Sequence, residues 1–565
     1  MWTRYSYRRI HIRGKLQFQS FFYDTLQSSL MAAPYSAGHH IRKLVVENGH
    51  IEPFMLGQLP QLCPYLEVFM FDGVVLSQAA RRESFQHYQQ RRNQEELDKV
   101  RHHFALWKHM RELVEVNGIA VAHALLQQTT RHLTSLSVQF NNQNDRTNLK
   151  TSLVASLHHA PNLQALSIEC IYLTCKELES MHDSCPSLSA LCLSDTILLP
   201  MPAAHCKKHE IKPAIGLRKF RFINGSFCND APRWLNYISQ KYIYARCLDI
   251  GSCTFFAEAR ESQQLDSNNH EEQLLQIAES CTKLEALNLQ SFRLQTAFFQ
   301  MLDQKAVFLS QLTLGDGLTN SLAYELKGLL KSKQRDSIKT LFILGWPLAA
   351  DIRGSHMLMV SLGQCTHITK LHLSLGRHLH RNESNPATST IYLDFLLTQC
   401  PKLTCLTVAD ATLATIAASV TPAFKQYTLR SLQLENVLID SGRDAFHIVA
   451  THCAELTELC LISTISSPVY HNTRNFNIYL PQHRLKRLVL DRIRVSRKCS
   501  MRLGYECCAS PSFARHSGTD KMRASKVKKL QDADINYSNL DQSVYVSVVC
   551  KNIESLYLTG LHIVQ

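Results

Sequence analysis

Along the chain, apolar residues recur in a six-residue phrase whose first, fourth and sixth positions are mostly Leu, Ile, Val or Phe. Residues 185–196 carry it as CPSLSALCLSDT and residues 400–411 as CPKLTCLTVADA. Apolar residues two apart are the alternation of a short strand with one buried face. The phrase begins at Ile41, Leu66, Leu133, Leu163, Leu188, Leu217, Ala245, Leu284, Leu309, Ile338, Ile368, Leu403, Leu429, Leu456, Leu485 and Ile553. Eleven of the fifteen intervals between these starts span 25 to 30 residues. Chance supplies single copies of so simple a phrase but not their even spacing. A period of that size therefore predicts a solenoid of stacked units.

Between the phrases the period turns helical, as in LKTSLVASLHHAPN (149–162) and EEQLLQIAESCTK (271–283). Each unit reads as strand, loop, helix and a tight turn. Cys63, Cys185, Cys281, Cys365, Cys400, Cys453 and Cys550 each lie three residues before a phrase, and three of them are followed by Pro. A small, weakly polar thiol suits a packed turn, and proline stops the helix before the next strand. About 16–17 units account for residues 41–565. Insertions are predicted near 77–109, 378–390 and 496–550, where the intervals lengthen or the composition turns polar. The first contains RRESFQHYQQRRNQEELDKVRHH (81–103), a charged helix or a loop, and just after it MRELVEV (110–116) reads as a degraded phrase. The third, with CCASPSFARHSGTDKMRASKVKK, reads as a protruding loop.

Composition bounds the function. The chain has 565 residues, 45% of them hydrophobic, enough for a continuous core. Its nineteen cysteines recur at a packing position instead of in bridging pairs, and the opening MWTRYSYRRIHIRGK lacks the apolar core of a secretory signal. Reduced thiols in cytoplasm or nucleus are expected, so the Asn-x-Ser matches at Asn224 and Asn382 carry no meaning. No apolar run is long enough to span a bilayer. The net charge of +14 comes from 61 basic against 47 acidic residues, part of it between Arg492 and Lys529. Without interleaved aromatics that segment reads as a solvated basic loop, and nucleic acid is not the expected partner. The charge favours an acidic protein partner.

No phosphate loop, dinucleotide fingerprint, nucleophile elbow or HExxH helix is present. His367, His372, His378 and His380 cluster in sequence but fit no closed zinc spacing. Nothing near the Cys507–Cys508 pair activates a thiol. No enzyme activity, cofactor or metal is expected. What remains is surface: with the fourth and sixth positions inward, the third and fifth face the other side of the sheet. That alternation picks out Lys219 and Arg221, Lys370 and His372, and Arg487 with Asp491 just beyond as candidate partner-binding residues.

The phrase Cys-Pro-x-Leu-x-x-Leu-x-Leu resembles the cysteine-containing class of leucine-rich repeat found in F-box proteins. The resemblance covers roughly residues 41–565 and implies an α/β fold, a right-handed horseshoe similar to ribonuclease inhibitor. It also implies a substrate-recognition subunit of an SCF-type ubiquitin ligase, binding its protein substrate on the concave face. Such proteins grip the ligase adaptor and cullin through an F-box, and none is found here. Residues 1–40 instead resemble the strand and helix that cap the array after an F-box, with Trp2, Tyr7, Ile10, His11 and Ile12 at the matching positions. The expectation is an F-box encoded upstream of Met1. The alternative is a stand-alone leucine-rich-repeat interaction scaffold.

Overall fold

A computed structural model of the chain describes residues 8–28, 37–48, 51–72, 101–116, 118–127, 130–140, 146–201, 211–228, 230–253, 270–315, 322–345, 352–374, 390–415, 426–439, 445–466, 475–491, 499–507, 510–516 and 544–559. They fall into two compact units, Met1–Leu284 and Glu285–Gln565. Stretch 81–100, Trp2, Tyr7, His378, His380, Cys508 and Asn382 lie outside the described residues.

In the first unit, nine strands pair in parallel in chain order. They are β1 (Arg9–Arg13), β2 (Lys43–Glu47), β3 (Val68–Asp72), β4 (Glu112–Val116), β5 (Ser135–Gln139), β6 (Ala165–Glu169), β7 (Ala190–Ser194), β8 (Lys219–Ile223) and β9 (Cys247–Gly251). From β2 onward each strand occupies the third to seventh positions of its phrase, so equal positions stand side by side: Leu166, Leu191, Phe220 and Leu248 form one continuous buried row. Parallel neighbours require a crossover, and helices such as Pro53–Leu62, Cys175–Ser184 and Ala231–Lys241 supply it. Within residues 1–40, β1 already belongs to this sheet, and Ile12 is buried at its core side.

The second unit repeats the scheme. Its parallel strands are β10 (Ala286–Asn288), β11 (Gln311–Leu314), β12 (Thr340–Leu344), β13 (Lys370–Ser374), β14 (Cys405–Ala409), β15 (Ser431–Glu435), β16 (Glu458–Ile462) and β17 (Asn475–Asp491). Residues 499–516, which composition reads as loop, instead form β18 (Cys499–Cys507) and β19 (Ser510–His516), paired antiparallel. The final strand, β20 (Val544–Thr559), runs parallel to both β17 and β18. Backbone pairing decides the state of this stretch, and its small and polar composition gave no sign of it.

The recurrent cysteine has a defined place. Cys63, Cys185, Cys281, Cys400 and Cys453 each donate their N–H to the carbonyl four residues back, ending the helix, and their own carbonyls accept from the first residue of the next phrase. All five are at most 4% exposed. In two of them the thiol reaches the preceding unit, Cys185 Sγ to the Leu157 carbonyl at 4.0 Å and Cys281 Sγ to the Tyr242 carbonyl at 3.7 Å. Burial pushes the thiols of Cys63, Cys185, Cys281, Cys400 and Cys453 up to about 12. Tyr242 holds the same place before β9 and fills it with a ring stacked on Phe220 at 4.4 Å.

A second regularity lies one residue past the strands. Asn48, Cys170, Asp195, Asn224 and Ser252 in the first unit, and Gly345, Asp410, Asn436 and Ser463 in the second, take left-handed φ. This conformation favours Gly, Asn and Asp. There the N–H turns to donate to the last carbonyl of the next strand, as Asp195 does to Ile223 at 2.9 Å and Asn436 to Ile462 at 2.7 Å. One degraded phrase shows how the core tolerates charge. Glu115 sits at an inward position of β4, 2% exposed, and its carboxylate accepts from the N–H groups of Val121 and Ala122. It thereby caps the start of helix Ala120–Leu126, where the helix dipole favours an anion.

Candidate functional site

Alternation gives each sheet one face packed inward and one open face. By that rule β5, β6 and β7 all show buried fourth and sixth positions flanked by half-exposed third, fifth and seventh ones. The same pattern holds in β12, β13 and β15 apart from their ends.

On the open face of the first unit, Lys219 and Arg221 lie two apart on β8. Lys219 is exposed between Ala190 and Cys247, whereas Arg221 is spent locally. Its Nε donates to Asp249 Oδ2 at 2.8 Å, directly across the β8–β9 ladder. Burial acts against its charge, but the hydrogen bond to Asp249 and that carboxylate's charge outweigh it and raise its pKa. The approach to these cations from β5 is smooth, floored by Ser135, Ser137, Ala165, Ser167, Ala190 and Cys192. At the strand ends, Glu169, Cys170 and Asp195 place one ligand atom each within 4.8 Å of one another. Burial and then the Asp195 charge raise the Glu169 carboxyl, while Gln139 donates to it at 2.8 Å. Two carboxylates and one thiol mix hard and soft donors, a set matched to no single ion.

In the second unit, Lys370 and His372 lie on β13. Lys370 is exposed between Thr340 and Cys405. His372 is half-buried against the Phe342 ring, centroids 5.5 Å apart, and desolvation lowers its pKa against the opposing pull of the Glu435 charge. Arg487 and Asp491 lie four ladder steps away on β17, about 19 Å at the usual strand spacing. The Arg487 guanidinium sits over the Tyr557 ring at 5.6 Å, and Asp491 stands in register between Ile462 and Thr559. The structure therefore joins Lys370 with His372 and separates both from Arg487 and Asp491.

The polar positions alone leave out aromatic side chains on the same face. Phe342 occupies the fifth position of IKTLFI, the position that selects His372 one unit later, so the signal was present. Tyr557, 53% exposed, is likewise the fifth residue of IESLYL. Of the four clustered histidines, His367 and His372 are described, and they belong to different settings: His367 is exposed with its Nδ1 3.4 Å from Lys402 Nζ, while His372 lies against Phe342.

No family model and no curated protein matches the chain. Among solved structures it is similar to a chain in the crystal structure of the mouse RP105/MD-1 complex, with 13% sequence identity and a TM-score of 0.37. The match covers 82% of this chain and 68% of that one. So loose a superposition leaves the functional reading to the chain's own repeats. Among the described residues, no helix is long and apolar enough to cross a membrane.

Proposed function

We propose that this chain is a leucine-rich-repeat interaction protein that binds a protein partner on the open face of its sheet. One observation carries the reading: strand after strand, the third and fifth positions offer polar and aromatic side chains to solvent while the fourth and sixth are sealed. Extended binding surfaces of repeat proteins are built in this way, one unit contributing one or two contacts. A horseshoe with this face concave is the architecture the reading implies. It assigns the chain no catalytic step. The fifteen described free cysteines, ten of them buried, support residence in the reducing cytoplasm or nucleus.

A narrower reading makes the chain the substrate receptor of an SCF-type ubiquitin ligase. It is favoured by the Cys-Pro phrase and by the strand Arg9–Arg13, in which Ile12 is buried and His11 Nε2 meets Glu47 at 2.8 Å. Affinity purification of the endogenously tagged protein, with mass spectrometry of its partners and its N-terminus, tests both. Co-purified adaptor and cullin are the result expected of a ligase receptor. Partners without them leave the interaction scaffold. A protein that emerges with no stoichiometric partner overturns the binding function itself.

A further inference from the structure

Around β13 the second unit gathers three lysines with no carboxylate partner among the described residues. Lys370 projects from the open face, Lys339 is exposed at the start of the neighbouring strand, and Lys402 is exposed at the turn before β14. The backbone ties Lys339 to Lys370, because the Lys339 carbonyl accepts from both Thr369 and Lys370, at 2.9 and 3.0 Å. Nearby arginines are neutralised, Arg335 by Asp336 and Arg430 by Glu455 at 2.8 Å. Lys339, Lys370 and Lys402 have no carboxylate partner among the described residues. Beside Lys370 the Phe342–His372 ring pair offers a half-buried apolar floor.

We infer that this patch docks an extended acidic segment of a partner protein, its carboxylates over Lys339, Lys370 and Lys402 and one apolar side chain on the Phe342–His372 rings. The inference rests on the protein-binding reading above and names the chemistry of the partner. Charge complementarity selects the occupant, since an uncompensated cation gains most from an incoming anion. Three adjacent strands span about 10 Å, the reach of roughly three extended residues. That matches a short peptide motif better than a nucleic-acid strand, which needs a longer basic track and successive stacking rings.

The test measures binding of a fluorescent peptide, Glu and Asp alternating around a central Leu, to the full-length protein by anisotropy across a salt series. Saturable binding that weakens with salt is expected. Lys370→Glu should weaken it about tenfold, and Phe342→Ala should weaken it with the salt dependence unchanged. Lys176→Glu, exposed on helix Cys175–Ser184 of the other unit and off the open face, should leave it unaltered. Circular dichroism melts that superimpose on the wild type confirm that each variant is folded. A peptide that fails to bind, or equal losses in Lys370→Glu and Lys176→Glu, overturns the assignment, and so does an oligo-dT strand that binds this patch more tightly than the peptide. A co-purified partner that still binds Lys339→Glu/Lys370→Glu in full sinks this patch alone and leaves the protein-binding function standing.

Discussion

Leu406 lies at the fourth position of its phrase, 1% exposed, with Leu371 on one side and Leu432 on the other in direct register. Truncation to Ala removes three carbons from a site walled on both sides, so little collapse is available. The lost transfer is about 2.4 kcal/mol at the usual value per buried methylene. A residual cavity of ~60 Å³ adds about 1.4 kcal/mol. Leu406→Ala should therefore cost about 3–4 kcal/mol. Because repeat arrays couple chiefly to nearest neighbours, the loss should concentrate in β13, β14 and β15. Native-state hydrogen exchange resolves it, as a drop in the opening free energy of the amides of 405–409 and 431–435, beside a urea midpoint for the whole chain. Thr407→Ala, one residue on and facing the open side, should change either readout by no more than about 0.5 kcal/mol. Equal, small effects at the two positions would refute the alternation on which the fold and the open face both depend.

Other outcomes follow from particular contacts. Glu325, 1% exposed, accepts from the N–H groups of Leu294 and Gly315, so Glu325→Ala strands two buried donors and should cost about 2–4 kcal/mol by urea denaturation. Gly315→Ala should lose more than about 1 kcal/mol, since φ is +84° and a Cβ would lie 1.9 Å from the Leu344 carbonyl oxygen. The His182 imidazole, which accepts from or donates to the Tyr242 hydroxyl at 3.1 Å, is pushed down to about 3 by burial and then by the Lys241 charge. The unfolded chain binds that proton more readily, so stability is full above pH 6.5 and falls as pH drops towards 3. Between pH 7.5 and 5 the loss attributable to this residue should be about 2 kcal/mol, absent in His182→Gln.

How much of this was legible in the sequence differs by feature. Period-two alternation located the strands, including the weak copy ARCLDI, which forms β9, and the degraded MRELVEV, which forms β4. It succeeded because one face of each of these strands is buried, and burial writes itself into residue type. The recurrent cysteine was equally readable as a packing position, although only coordinates show that it caps the helix and touches the preceding carbonyl. The hairpin of β18 and β19 was not readable, because strand pairing there is not accompanied by a run of alternating Leu. Open-face chemistry was half readable: spacing places Arg221 outward, yet its commitment to Asp249 depends on the register between two strands 28 residues apart. Lys339 and Lys402 were missed because they stand outside the third and fifth positions and join Lys370 only through the ladder.

The buried cysteine that recurs before seven of the phrases makes the molecule its own reporter. These thiols sit where one unit rests on the last, and in the closed array burial leaves essentially none of them as thiolate at neutral pH. A thiol reagent can then label Cys185 or Cys400 only when that seam parts. Peptide-resolved alkylation over time would rank the seams by how often each opens, without a single engineered probe. A bound partner that staples several units together would show itself as a block of neighbouring cysteines falling silent at once.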